Sequence, residues 1–126
     1  MKKLLILLFS ILISLNSYGD WEFFGVNKNN TTFYINFEKI KKIDGYIYYW
    51  TLSDLLKPDK DGDFSYSGYY QGDCSFYRIM TLSEFYYKQP MGEGKVTTNT
   101  QNPKWQYPPP ESMHIHMLKK ICDYVK

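Results

Sequence analysis

The stretch Tyr46-Ile47-Tyr48-Tyr49-Trp50-Thr51-Leu52 decides the fold. Aromatic and β-branched side chains fill nearly all of it, and such residues fit a pleated, half-buried surface. Strand alternation puts Tyr46, Tyr48, Trp50 and Leu52 on one face. Asp44-Gly45, just ahead, is a turn dipeptide. The chain therefore reverses immediately before this strand.

On the N-terminal side, residues 21–26 read as a strand, 27–30 as a turn cluster and 32–37 as a second strand, with Phe33, Ile35 and Phe37 on one face. Together they make a hairpin. Residues 37–42 are ambiguous and fit a short helical turn. On the C-terminal side, 58–63 is a polar loop. Residues 64–74 alternate, with Phe64, Tyr66 and Tyr70 opposing Ser65, Ser67 and Gln71. That pattern predicts a half-buried strand with one wet face. Residues 76–87 form another long strand, with Met80 and Leu82 against Ile79 and Phe85; Gly72-Asp73 marks a bend or bulge between the two.

Residues 88–110 show no sustained period and contain Gly92, Gly94, Pro103 and the run Pro108-Pro109-Pro110. A loop of this length is expected to pair in part as a short strand or to serve a specific purpose. Trp105 and Tyr107 are expected to pin it to the body. The prolines fit the start of a helix, with Ser112 as N-cap. Ile115, Leu118, Cys122 and Val125 then recur at spacings of three, four and three, with Ile121 beside them. Met113, Ile115 and Met117 alternate with His114 and His116, so a strand over 113–117 stays open. The fold class is α+β: a strongly bent antiparallel sheet of about five or six strands with one C-terminal helix packed on it.

The start of the chain concerns its destination. Lys2 and Lys3 precede an apolar run broken only by Ser10 and Ser14, and Ser17 and Gly19 supply small side chains. This is the layout of a secretory signal, residues 1–19, cut after Gly19. The run is short of the ~20 residues that span a bilayer, so no stable membrane span is expected after cleavage. Residues 20–126 then form a single domain. The net charge of +2 falls to zero when Lys2 and Lys3 are lost. A neutral product argues against nucleic acid or anionic lipid as partner. At 44% apolar and 22% charged, the 126-residue chain is not disordered.

Cys74 and Cys122 are the two cysteines. In an exported chain an even count points to a disulfide. Closing a loop of about 49 residues stabilises by roughly 4 kcal/mol on the chain-entropy model. A metal pair and a redox pair are the rivals, and neither has the C-x-x-C spacing that would support it. Both cysteines fit a bond between the helix and a sheet strand.

Other constellations are weak. His114 and His116, the two histidines, face nearly opposite ways on a helix and share a face on a strand. Even on a strand they need further metal ligands, which have no recognisable spacing. Asp59, Asp61 and Asp63 resemble a calcium loop, yet Gly62 is fourth and Tyr70 twelfth, where an EF-hand needs glycine sixth and an acid twelfth. A charged loop tip is the simpler reading. No nucleophile–base pair and no cofactor motif is visible, so the reading is non-enzymatic with no cofactor. The unusual feature is aromatic content: 13 Tyr, 8 Phe and 3 Trp. Tyr combines contact area with a polar tip, which suits binding surfaces; exposed Tyr pairs also simply stabilise sheets. The candidate face draws on Tyr46, Tyr48, Tyr49, Tyr66, Tyr69, Tyr70, Tyr86 and Tyr87, part of it core. Tyr48, Tyr66, Tyr69 and Tyr70 are the ligand-binding candidates.

Several marks fall in a suggestive order. They are Trp21; Tyr34-Ile35-Asn36 followed by Ile40; Trp50-Thr51-Leu52; Asp73-Cys74 followed by Arg78; Gly92-Glu93-Gly94; Trp105; Pro109-Pro110-Glu111-Ser112; and Cys122. Over nearly all of residues 20–126 this resembles the surface-adhesin protein E-like family of bacterial exported domains. The resemblance implies a small antiparallel sheet and a C-terminal helix joined by Cys74–Cys122. It also implies cell-surface or periplasmic placement and, in the adhesin members, binding to host matrix and serum proteins. Asn36 stands where an acid is expected, and the lipid-anchor Cys is missing. The function expected is an exported module that binds an extracellular or envelope protein, in the periplasm, at the cell surface or secreted. The rivals are an accessory periplasmic protein, with a homodimer through a sheet edge, and a haem, metal or small-ligand binder using His114 or His116.

Overall fold

Asp44 and Gly45 both adopt positive φ, 52° and 85°. Two consecutive positive-φ residues are what a type I′ two-residue hairpin requires, and Gly takes this conformation without steric cost. The turn joins β3 (Lys41–Ile43) to β4 (Tyr46–Asp54), which pair antiparallel. The protein is represented by a computed structural model that describes residues 20–99 and 103–126, the side chain of Asn99 excepted. The expected signal peptide lies outside the described residues.

The remaining strands are β1 (Glu22–Val26), β2 (Thr32–Ile35), β5 (Ser65–Asp73), β6 (Arg78–Tyr87) and β7 (Val96–Asn99). They make a seven-stranded antiparallel sheet of order β1-β2-β4-β5-β6-β7, with β3 also on β4. β2 pairs with residues 51–54 of β4 and β3 with residues 46–48, so both lie along one edge of that strand. The ambiguous segment between them contains a 3-10 turn, Phe37–Lys39, before β3. Part of the long 88–110 segment pairs as β7 against β6. Gln106 also exchanges backbone hydrogen bonds with Ile79, at 2.9 and 2.8 Å.

Residues 113–117 are helical. The helix α1 (Met113–Tyr124) starts at Ser112, whose side chain accepts from the Ile115 amide. It buries Ile115, Met117, Leu118, Ile121 and Cys122. Ile35, Ile47, Tyr49, Tyr70 and Ile79 from the sheet join them in one core. Burying such side chains is worth roughly 1.5–3 kcal/mol each. The helix packs tightly over Gly72: a Cβ there would stand 2.7 Å from Leu118 Cδ1. At the other end Cys122 is bonded to Cys74, with the two Cα atoms 5.8 Å apart at a sequence separation of 48.

Two local expectations are corrected. Ser65 and Ser67 do not form a wet face; they are 0% and 2% exposed. Residues 89–92 fold back over them. Ser65 Oγ donates to the Gln89 carbonyl (2.7 Å) and accepts from the Gly92 amide (2.9 Å). The Ser67 and Tyr87 hydroxyls hydrogen-bond at 3.0 Å. The register irregularity lies not at Gly72-Asp73 but at Tyr69/Tyr70, which pair with Ser83 and Thr81 and leave Leu82 as the extra residue. That bulge reverses the facing of β6 beyond it. Phe85 consequently shares a face with Met80 rather than with Ile79.

Candidate binding surface

Strand register divides the side chains into a helix face and an open face. Paired residues in adjacent strands share a face, so Trp50↔Tyr69 and Tyr69↔Ser83, then Leu52↔Ser67 and Ser67↔Phe85, set one face across β4, β5 and β6. Tyr48, opposite Gln71, belongs to it too. The helix packs on the other face, with Tyr49, Tyr70 and Ile79.

The open face is aromatic. Trp50 stacks on Tyr69 with centroids 4.7 Å apart and planes 26° from parallel. Phe85 lies 5.8 Å from Trp50, and Tyr48 lies 6.4 Å from Tyr69. Tyr34 and the exposed Phe23 extend the strip across β2 and β1 in an edge contact of 6.3 Å. Mutual stacking leaves Tyr48, Trp50, Tyr69 and Phe85 half-buried. Aromatic pairs of this kind add about 0.5–1.5 kcal/mol beyond area burial.

One end of the strip is anchored by Arg78. Its Nε meets Asp73 Oδ2 at 2.8 Å, and its guanidinium lies 4.2 Å from the Trp105 ring centroid and 5.3 Å from that of Phe76. Trp105 also packs 5.5 Å from Tyr46. Trp105 thus pins its segment as expected; Tyr107 is 65% exposed and reaches Arg78 by its side chain. Burial alone would raise the Asp73 carboxyl, but the Arg78 hydrogen bond and the Ser75 and Phe76 amides outweigh it, so the net shift is downward. Those two amides cap the β5–β6 turn.

The four ligand-binding candidates do not form one site. Tyr48 and Tyr69 are on the open face. Tyr66 is half-buried on the opposite face beside Tyr86, 5.8 Å away. Tyr70 is 5% exposed and belongs to the core, where burial first and the Glu84 charge second push its phenol up and keep it neutral. Trp50, Phe85 and Phe23 were not among the candidates. Trp50 was legible from its strand face; Phe85 was hidden by the bulge.

His114 and His116 point apart, as positions two residues apart on a helix do. His114 is half-buried, 5.6 Å from the Tyr70 ring, and His116 is exposed. Burial holds the His114 imidazole below its ordinary range, with Glu84 opposing the shift. The carboxylates of Asp59, Asp61 and Asp63 lie within 4.8 Å of one another. Asp59 Oδ1 is taken by the amides of Asp61 and Asp63. The Lys88 ammonium sits 3.0 Å from Asp63 Oδ1 and 2.8 Å from the Asp61 carbonyl.

These features define an α+β binding domain: one antiparallel sheet, one disulfide-bonded helix, and an aromatic face opposite that helix. The family model for surface-adhesin protein E matches residues 21–123. The chain belongs to the surface-adhesin protein E family. Solved structures of Haemophilus influenzae protein E share its fold. Crystal form II gives a TM-score of 0.65 at 18% identity, covering 82% of this chain and 90% of that one. The selenomethionine form gives 0.63 at 16% identity, covering 80% and 85%. Among curated proteins none matches the chain. No helix among the described residues is long and apolar enough to cross a membrane.

Proposed function

We propose that this chain is an exported, non-enzymatic, adhesin-like module that holds an extracellular protein against the open face of its sheet. The observation that carries this reading is the aromatic strip of Tyr48, Trp50, Tyr69 and Phe85, on the side of the sheet opposite the helix. Stacked rings of this kind offer contact area at low conformational cost, which favours binding anchors. Membership of the surface-adhesin family and the Cys74–Cys122 bond support export to an oxidising compartment.

In this reading residues 1–19 are removed, residues 20–126 are the working domain, and the cell surface is where it acts. Mass spectrometry of native protein, with and without reductant, tests the export half. A mass matching residues 20–126 and a gain of two hydrogens on reduction are expected. Retention of the first nineteen residues, or two free thiols before reduction, contradicts it. Antibody labelling of intact source cells tests the placement: labelling is expected, and signal only after permeabilisation contradicts surface display.

A further inference from the structure

Beyond the N-terminus of α1 the helix face of the sheet changes character. Gly68 faces Glu84 across the β5–β6 ladder, and Tyr66 faces Tyr86. Tyr70 bends its phenol over Gly68, so its hydroxyl end lies on the sheet opposite Glu84. Tyr86 donates its hydroxyl hydrogen bond to Glu84 Oε2. Tyrosine thus brackets the carboxylate on three positions of two strands.

Glu84 is half-buried. Among the described residues, the ion pairs go to Asp73, Asp63 and Asp123, and no ammonium or guanidinium is paired with Glu84. The nearby base on the helix is a poor source of the charge, because burial disfavours the His114 imidazolium. Lys88, on the same strand side, is already held by Asp63 and the Asp61 carbonyl. The adjoining hollow, about 410 Å3, is lined by Asp61, Asp63, Tyr86, Lys88 and Thr97, so acids also outnumber bases there.

We propose that this corner of the helix face, centred on Glu84 with Tyr66 and Tyr86, is a second binding site that takes a lysine or arginine side chain of a protein partner. A half-buried carboxylate attracts a cation more strongly than one in water. The faces of tyrosine rings add about 0.5–2 kcal/mol each for a well-placed cation. The long stem of Lys or Arg suits the ring walls while its head reaches the carboxylate. Lys28 and the positive end of α1 line a separate hollow that includes His114. The cation therefore enters from the β7 side, where Asp61 and Asp63 stand. The site is on the face opposite the aromatic strip, so it goes beyond the function proposed above.

The test is an amide-NMR titration of the disulfide-bonded protein with N-acetyl-arginine amide and N-acetyl-lysine amide, using N-acetyl-glutamine amide as the neutral control. Saturable shifts at Glu84, Tyr66 and Tyr86 with the two cations, and none with the control, are expected. Glu84→Gln keeps the shape and the Tyr86 contact, and should weaken binding roughly tenfold. Tyr66→Leu, which leaves the charge in place, should weaken it severalfold. The proposal is overturned if no saturable shift occurs, if Glu84→Gln binds as well as the parent, or if choline binds and neither amino-acid probe does. Trp50→Ala should leave this titration unchanged, which separates the site from the open face.

Discussion

Tyr70 lies across Gly68, its own strand neighbour: a Cβ on residue 68 would stand 2.5 Å from Tyr70 Cζ. The ring can turn down onto the sheet only because residue 68 has no side chain. In that position it closes the core against Tyr49, 5.6 Å away, and receives the edge of His114. Gly68→Ala should destabilise the fold by about 1–3 kcal/mol through overpacking, read as a lower midpoint in urea. Tyr70→Leu, which clears the space, should make a further Gly68→Ala change cost less. Equal cost in both backgrounds would contradict this geometry.

The disulfide closes a long loop. Cys122→Ser with Cys74→Ser should lower stability by roughly 4 kcal/mol, most of it through the unfolded chain. Because α1 supplies five of the eleven buried core residues, its amides should then exchange faster with solvent while the β4–β5 ladder stays protected. Uniform loss of protection would show that helix and sheet open as one unit.

His114 sets a pH dependence. Its folded-state pKa lies below the ordinary value of 6.5 because burial disfavours the charged imidazole. The unfolded chain therefore binds the proton first. This contribution to stability is complete above pH 6.5 and is lost as pH falls from there through the lower folded-state value. Denaturation curves between pH 7.5 and 4.5 should show that decline, and His114→Asn should flatten it. Asp73, also shifted downward, acts only at more acid pH. A variant with an unchanged slope would remove His114 from the account.

Asn36 occupies a position where the family resemblance implies an acid. It is 3% exposed, and its Oδ1 has no hydrogen-bond partner among the described residues. A carboxylate in that place would be buried without compensation, so Asn36→Asp should cost about 2 kcal/mol or more. Thermal melts at pH 7 check this; an unchanged or raised Tm would mean that a donor reaches the site.

Much of this was legible because it is local. The period-2 run through Trp50 marked β4, and Asp44-Gly45 marked the turn before it. The three-four spacing of Ile115, Leu118 and Cys122 marked α1 and its buried face. The misses were non-local. Nothing in the alternation of Ser65 and Ser67 reveals that residues 89–92 return to cover them. One extra residue at Leu82 reverses every later side chain of β6, so simple alternation puts Phe85 on the wrong side. For the same reason tyrosines that look equivalent in sequence divide between two faces: Tyr48 and Tyr69 on one, Tyr66 and Tyr70 on the other.

The central claim is that the open face binds. Surface plasmon resonance of the disulfide-bonded protein against immobilised matrix and serum proteins tests it, comparing the parent with Trp50→Ala and Tyr48→Ser, each first checked for a native circular-dichroism spectrum. Loss of about 2 kcal/mol for Trp50→Ala on whichever protein binds, with a smaller loss for Tyr48→Ser, is the predicted result. Binding that survives both substitutions unchanged, or no binding to any of these proteins by the parent, would contradict the account.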